Sequence, residues 1–219
     1  DGLYHQKSDY PPETILSHTS WEERPEEFYR FYRDKLIVKG AKPNAAHLRL
    51  AKLEREGKLK AVITQNIDGL HQAAGSKTVY ELHGSTLRTY CDKCGAFDDV
   101  DFLANSTGSP YYSSFIATSP RAPRCPTCGG SIMPDVVLYE EGLDEQVLSG
   151  AVSAIRRADT LIIGGTSLVV YPAAGLIRYF RGDHLVVINM QPTNADAEAN
   201  LCIAKPSGQV LSEDVVVED

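Results

Sequence analysis

The hydrophobic positions of this chain of 219 residues form short apolar runs separated by segments with helical spacing. Runs typical of buried strands occupy 59–64, 78–82, 136–139, 161–164 and 185–189. Helical spacing predicts helices that begin near Pro25 and Pro43, that carry the stripe from Leu143 to Ala158, and that cover 172–180. Alternating strands and helices with nearly continuous apolar strands predict an α/β fold, a Rossmann-like parallel sheet covered on both faces.

A change of composition divides the chain. Residues 85–133 hold four closely spaced cysteines and a stretch rich in Ser, Pro and Gly, which is typical of an inserted small module. We therefore expect 85–133 to form a separate module inserted into the parallel-sheet fold.

The paired cysteines are the strongest chemical signal. Two C-x2-C pairs, separated by thirty residues, consist of Cys91, Cys94, Cys125 and Cys128. Four thiolates in tetrahedral array suit one structural zinc ion and leave no open coordination position for catalysis. The alternative, two redox dithiols, lacks the expected setting at a helix start after a strand. Cys202 stands alone among apolar residues, so we expect it to be buried.

Charge and hydropathy exclude several classes of protein. Lys and Arg number 22 against 29 Asp and Glu, and the formal net charge of −7 without a basic run argues against a nucleic-acid ligand. No apolar stretch approaches the roughly 20 residues that span a bilayer, and no export leader is visible. Cysteines whose spacing indicates a metal site rather than disulfide bonds then favour a reducing, cytoplasmic location.

Polar residues cluster where the predicted strands end, the place where parallel sheets bind ligands. They follow the strand ends in this order: Gln65, Asn66 and Asp68; His83; Gly165, Thr166 and Ser167; and Asn189. Each group has an ordinary alternative. The first could be an Asx turn, the histidine could be structural, and the glycine-containing loop lacks a G-x-G-x-x-G fingerprint.

Taken together, these residues resemble the sirtuins, the NAD-dependent protein lysine deacylases. The matching pieces occur in the family's order and extend over essentially the whole chain: 43–47 (PNAAH), 64–71 (TQNIDGLH), 81–84 (ELHG), the two C-x2-C pairs, 133–141 (MPDVVLYEE), 165–168 (GTSL) and 188–189 (IN). The ordered set is far more specific than any one of its members.

The resemblance implies two domains. The small one would consist of a helical module, 1–40, and a zinc-binding module, 85–133, and the Rossmann-like NAD-binding domain would be discontinuous, over 41–84 and 134–219.

The resemblance also implies a role for each candidate residue. His83 is expected to be the general base, with Asn66 beside it in the catalytic site. Gln65, Asn66 and Asp68 would hold the nicotinamide and its ribose. The phosphates and adenosine of NAD, the cosubstrate, would contact Gly165, Thr166, Ser167 and Asn189. An acetylated-lysine protein or peptide would bind as an added strand along Val136 and Val137, and its acyl group would pass to ADP-ribose.

The chain also departs from the sirtuin pattern. The strand and G-A-G-x-S loop that open the family's sequence are absent, so we expect this sequence to be N-terminally incomplete. Tyr139-Glu140-Glu141 stands where relatives have Phe-Gly-Glu. The lack of an early Tyr-x-x-Arg pair favours a neutral acyl group such as acetyl. Three alternatives remain: an ADP-ribosyltransferase on the same NAD site, a non-catalytic acyl-lysine-binding module, and a zinc-ribbon nucleic-acid reader.

Overall fold

The computed structural model describes residues 11–37, 40–99, 122–125 and 127–211. The chain divides into two compact units, each made of several segments. Unit 1 comprises Asp1–Ala41, Asn66–Gly69 and His83–Gly142. Unit 2 comprises Lys42–Gln65, Leu70–Leu82 and Leu143–Asp219.

Unit 1 begins with three helices, α1 (Pro12–Ile15), α2 (His18–Glu23) and α3 (Pro25–Lys35). The prediction of a helix near Pro25 is confirmed. Proline occupies the first turn of α3 together with two glutamates, and basic residues occupy its last turn, an arrangement that suits the helix dipole. Phe28 and Tyr32 are almost completely buried and stack at a centroid distance of 5.9 Å.

The sheet of unit 1 is antiparallel, in the order β4-β3-β5. Its strands are β3 (Gly84–Cys91), β4 (Phe97–Asp99) and β5 (Ile132–Val136). Ile132 and Met133 of β5 pack with the aromatic residues of α3, and the Tyr29 hydroxyl donates a hydrogen bond to the Ile132 carbonyl. The predicted strand at 136–139 is wrong, because β5 ends where that apolar run begins.

Unit 2 contains α4 (Ala45–Arg55), α5 (Leu70–Ala73), α6 (Glu145–Arg157), a 3₁₀ helix (Ala173–Tyr179) and α7 (Ser207–Gln209). Asn44 caps α4 reciprocally with His47: each backbone N–H donates to the other residue's side chain, at 3.2 Å. Gly57 follows α4 with a φ of 75°, a left-handed conformation that commonly ends a helix.

The helix predicted at 172–180 is confirmed in place, but the segment Ala173–Tyr179 has 3₁₀ geometry.

The strands of unit 2 are all parallel where they pair. β1 (Val62–Thr64) pairs with β2 (Val79–Glu81), and β6 (Thr160–Gly164), β7 (His184–Ile188) and β8 (Leu201–Ile203) form a second sheet in that order. The predicted parallel pairing is confirmed, but the described strands form two sheets rather than one.

Two predictions of burial in unit 2 are wrong. β6 alternates exposed and half-buried positions, so Ile162 is 39% exposed. Cys202 is exposed, because β8 pairs only with β7 among the described strands and lies at the edge of its sheet. Across the part of the chain that the structure describes, no helix combines the length and the apolar character needed to cross a membrane.

Candidate functional site

The four paired cysteines converge on one point in unit 1. Their sulfur atoms all lie within 4.8 Å of one another, and the closest approaches are 3.5 Å between Cys91 and Cys128 and 3.8 Å between Cys94 and Cys125. Sulfurs about 2.3 Å from one zinc ion in a tetrahedron stand about 3.8 Å apart, so the cluster has the size of a zinc tetrathiolate. The prediction from the C-x2-C spacing is confirmed in geometry.

Each cysteine pair sits on a tight turn that a glycine closes. The Gly95 N–H donates to the Cys91 carbonyl at 2.9 Å, and the Gly129 N–H donates to the Cys125 carbonyl at 2.8 Å. Both glycines have positive φ, 68° and 72°, a conformation that is costly for other residues. The two turns therefore present their thiols to the same centre from two distant parts of the sequence.

The surroundings of the cluster favour the thiolate form of Cys125 and disfavour that of Cys128. Burial disfavours the Cys125 thiolate, but hydrogen bonds from backbone N–H groups of Cys128 and Thr127 and from neighbouring thiols lower its pKa to about 6. The Gly130 N–H favours the Cys128 thiolate, yet burial and the other sulfurs raise its pKa to about 12. Four thiolates held this close together would need a bound cation, and a zinc ion held by Cys91, Cys94, Cys125 and Cys128 would supply that charge.

His83 lies in unit 1 immediately before β3. Its carbonyl accepts a hydrogen bond from the Val137 N–H at 3.0 Å, and the next residue, Gly84, pairs with Val136 across the β3–β5 ladder. His83 is half-buried. The structure therefore brings together the predicted base and both residues predicted to bind the peptide backbone.

The polar loop after β1 is attached to the same strand as His83. The carbonyl of Ile67 accepts hydrogen bonds from the Thr86 N–H at 2.9 Å and from the Thr86 hydroxyl at 3.0 Å. Asn66 is exposed and Asp68 is half-buried, on either side of that anchor. Unit 1 thus holds these two predicted site residues near the start of β3, whereas Gln65 belongs to unit 2.

The remaining predicted NAD-binding residues lie at the carboxyl edge of the β6-β7-β8 sheet in unit 2. The Gly165 N–H donates to the Ile188 carbonyl at 3.2 Å, so the loop after β6 lies beside the end of β7, where Asn189 follows. Thr166 Oγ1 accepts from the Leu168 N–H at 3.2 Å and shapes the loop. Exposed backbone and hydroxyls at the end of parallel strands are suited to an anionic group.

Sequence reasoning missed two polar residues in these regions. Ser207 begins α7 and lies over the loop after β6, since a side chain on Gly165 would stand 3.6 Å from the Ser207 hydroxyl oxygen. Its position after Pro206, at a helix start, was the available signal. Arg88 Nε donates to Asp135 Oδ2 at 2.6 Å and fastens β3 to β5 just beyond His83. No local pattern indicates that pair.

Comparisons with known proteins agree with this geometry. The Sir2 family matches residues 1–172. An NAD-dependent protein deacetylase of Clostridium acetobutylicum is 55% identical over 213 residues, which cover 96% of this chain and 82% of that protein. A solved complex of a Sir2 homolog with NAD is 34% identical with a TM-score of 0.80, covering 94% of this chain and 76% of its own. A Sir2 structure with a deacetylated peptide and 3′-O-acetyl ADP ribose is 36% identical with a TM-score of 0.80, covering 96% and 81%.

Proposed function

Since this chain belongs to the Sir2 family, we propose that it is an NAD-dependent protein lysine deacetylase that releases nicotinamide and O-acyl-ADP-ribose. The expected resemblance to sirtuins and the expected α/β fold with a zinc-binding module are confirmed. The observation that carries the proposal is the backbone hydrogen bond between His83 and Val137, since it joins a histidine base to an edge strand that suits a peptide.

The peptide binds along β5. In the described sheet β5 is a terminal strand, paired with β3 on one side only. An extended peptide adds to such an edge through its main chain and needs no particular side chains. Because the Val137 N–H already donates to the His83 carbonyl, Val136 and the Val137 carbonyl supply the backbone partners. The acyl-lysine substrate then lies on the segment whose backbone is bonded to His83.

His83 performs the proton transfer. NAD supplies the ribose carbon that accepts the acyl oxygen and the nicotinamide that leaves. A neutral imidazole can take a proton from a ribose hydroxyl as a general base and return it later as a general acid. Asn66, from the loop fixed on β3, offers an amide that orients polar groups of the cosubstrate beside this base.

The groups proposed to bind NAD are amides, a carboxylate, hydroxyls and exposed backbone. Gln65, Asn66 and Asp68 offer amides and a carboxylate for nicotinamide and its ribose. The carboxyl edge of the β6-β7-β8 sheet offers Gly165, Thr166, Ser167 and Asn189 for the phosphates and the adenosine. The zinc ion, closed by four sulfurs, supports the fold of unit 1 and has no position for a reactant.

We expect the acyl group on the substrate lysine to be a neutral one such as acetyl. The proposed location is the cytoplasm, where thiols stay reduced and can hold zinc. The net charge of −7 supports a protein or peptide partner rather than a nucleic acid.

Mass spectrometry of an acetyl-lysine peptide with and without NAD tests the function. We expect NAD-dependent loss of acetyl, equimolar nicotinamide release, and loss of both in His83→Ala. His184→Ala is the matched control, because His184 is an exposed histidine at the amino end of β7 and should leave turnover unchanged. Transfer of ADP-ribose to protein with the acetyl group intact would instead establish the transferase. Peptide binding without nicotinamide release would establish a binding module.

A further inference from the structure

The segment that follows the peptide-binding edge is fastened to α2 of the same unit. The Tyr139 N–H donates to the Leu16 carbonyl, and the His18 N–H donates to the Tyr139 carbonyl, both at 3.0 Å. These two bonds form an isolated parallel bridge between Ser17 and Tyr139. The backbone after Val137 therefore leaves the β3–β5 sheet and is held by a part of the chain about 120 residues earlier.

Two consecutive carboxylates reinforce that bridge. Glu140 Oε2 accepts hydrogen bonds from the Thr19 N–H at 2.9 Å and from the Thr19 hydroxyl at 2.8 Å. Glu141 Oε1 contacts His18 Nδ1 at 2.7 Å, and its Oε2 accepts from the Leu138 N–H at 2.8 Å. We call His18, Thr19, Glu140 and Glu141 the acidic latch.

The backbone of Glu140 shows that these contacts have a cost. Its φ is 79°, a left-handed conformation that favours glycine. A glutamate is strained in this conformation, but its carboxylate gains two charge-assisted hydrogen bonds that glycine cannot make. The strain and the bonds thus occur in one residue, next to the proposed substrate strand.

The latch is connected to the site through a short stretch of backbone. Val136 pairs with Gly84 of β3, and the Val137 N–H donates to the His83 carbonyl. The segment 136–141 is therefore held at one end by His83 and β3 and at the other end by α2. We propose that Glu140 and Glu141 are positioning residues that hold the Val136–Val137 edge ready for the substrate peptide. This inference rests on the proposed function of that edge.

The charges of the latch give it a pH dependence. The hydrogen bond with Glu141 raises the pKa of His18, and Glu22, 3.5 Å from Nε2, raises it further against the effect of burial. The Thr19 N–H and hydroxyl lower the pKa of Glu140, with a smaller contribution from His18. A raised histidine pKa means that the ionic contact is fully present below about 6.5 and is lost as pH rises through the folded value.

Steady-state kinetics on the full chain separates this role from a catalytic or a merely structural one. In Glu140→Gly and Thr19→Val we expect the KM for an acetyl-lysine peptide to rise about five- to tenfold, the size of about one lost hydrogen bond. We expect kcat to stay within about twofold, because strand pairing with β5 still holds His83, and the KM for NAD to stay unchanged. Thr19→Ser, which keeps the hydroxyl, restores the peptide KM.

The pH profile supplies a second readout. The peptide KM of the wild-type protein should rise above the titration of His18, whereas His18→Asn, whose amide can donate from the position of Nδ1 without titrating, should lack that step. An unchanged peptide KM in both Glu140→Gly and Thr19→Val, or equal losses in kcat and in the KM for NAD, would overturn the proposal.

Calorimetric binding of an acetyl-lysine peptide keeps the two proposals apart. If the wild-type protein binds peptide without turnover, the enzymatic function fails, and weaker binding by Glu140→Gly still supports the latch. If the wild-type protein neither turns over nor binds, both proposals fail.

Discussion

Gly84 is the position at which one added methyl group should do most harm to the proposed site. It directly follows His83 and has a φ of 72°. A Cβ at this residue would lie 2.1 Å from the Asp135 carbonyl oxygen and 3.2 Å from the Val136 Cα. Both neighbours are backbone atoms of β5, so no side-chain rotation can relieve the contact, and the strand itself has to move in Gly84→Ala.

The size of the movement follows from these distances. A Cβ needs at least 3.0 Å from such an atom, so the gap must widen by 3.0 − 2.1 = 0.9 Å. A misplacement of about 1 Å near the reacting groups can lower a rate about 10²-fold, which corresponds to about 2.7 kcal/mol of transition-state stabilisation. The positive φ adds about 1 kcal/mol of backbone strain to the folded state.

A second glycine separates the two effects. Gly57 has nearly the same φ, 75°, but a Cβ there would meet nothing within 4 Å. Gly57→Ala should therefore lose about 1 kcal/mol of unfolding free energy in urea and keep its kcat/KM. Gly84→Ala should lose more stability and about 10²-fold in kcat/KM for an acetyl-lysine peptide. Equal kcat/KM values for the two variants would refute the argument that close approach to β5 positions His83.

Three further predictions concern the metal, a helix cap and an ion. Cys128→Ser should lose zinc by elemental analysis and lower the melting temperature, since three thiolates hold the ion less firmly. Asn44→Ala should reduce the unfolding free energy by about 1 kcal/mol in urea, because α4 loses its N-cap. Partial burial opposes ionisation of Glu54, but hydrogen bonds from the N–H groups of Lys77 and Thr78 lower its pKa. The ionised carboxylate therefore stabilises the protein above the pKa that Glu54 has in the unfolded chain, and this contribution is lost as the pH falls. Glu54→Gln should lose less unfolding free energy on acidification than the wild-type protein does.

Local signals in the sequence predicted most of what depends on neighbouring residues. The start of α4 at Asn44 and its stop at Gly57 are both where capping chemistry places them. The cysteine spacing predicted a cluster that the structure assembles from two turns. The helix caps and each C-x2-C turn depend on residues that stand within a few positions of one another, and the shared spacing of the two turns indicated that they meet at one metal ion.

Errors arose where burial depends on distant parts of the chain. The run Val136-Val137-Leu138 has the composition of a strand, yet β5 ends at its first residue, because the backbone of Tyr139 bonds to Leu16 and His18 instead of continuing along the sheet. Similarly, the apolar run in β6 predicts cover on both faces, but among the described strands β6 pairs with β7 alone, and Ile162 is 39% exposed. Hydrophobic patterning shows which residues tolerate burial, and it does not show which neighbour provides it.

Glu140 shows why a local rule can mislead near a functional segment. Backbone preference alone favours glycine at a φ of 79°, so the neighbouring sequence gives no reason for a glutamate there. The compensation comes from Thr19, 121 positions earlier, whose N–H and hydroxyl both bind the carboxylate. A strained residue persists when its surroundings stabilise that conformation. The glutamate is therefore accommodated through its contact with Thr19, and kinetics of Glu140→Gly measure what that contact contributes.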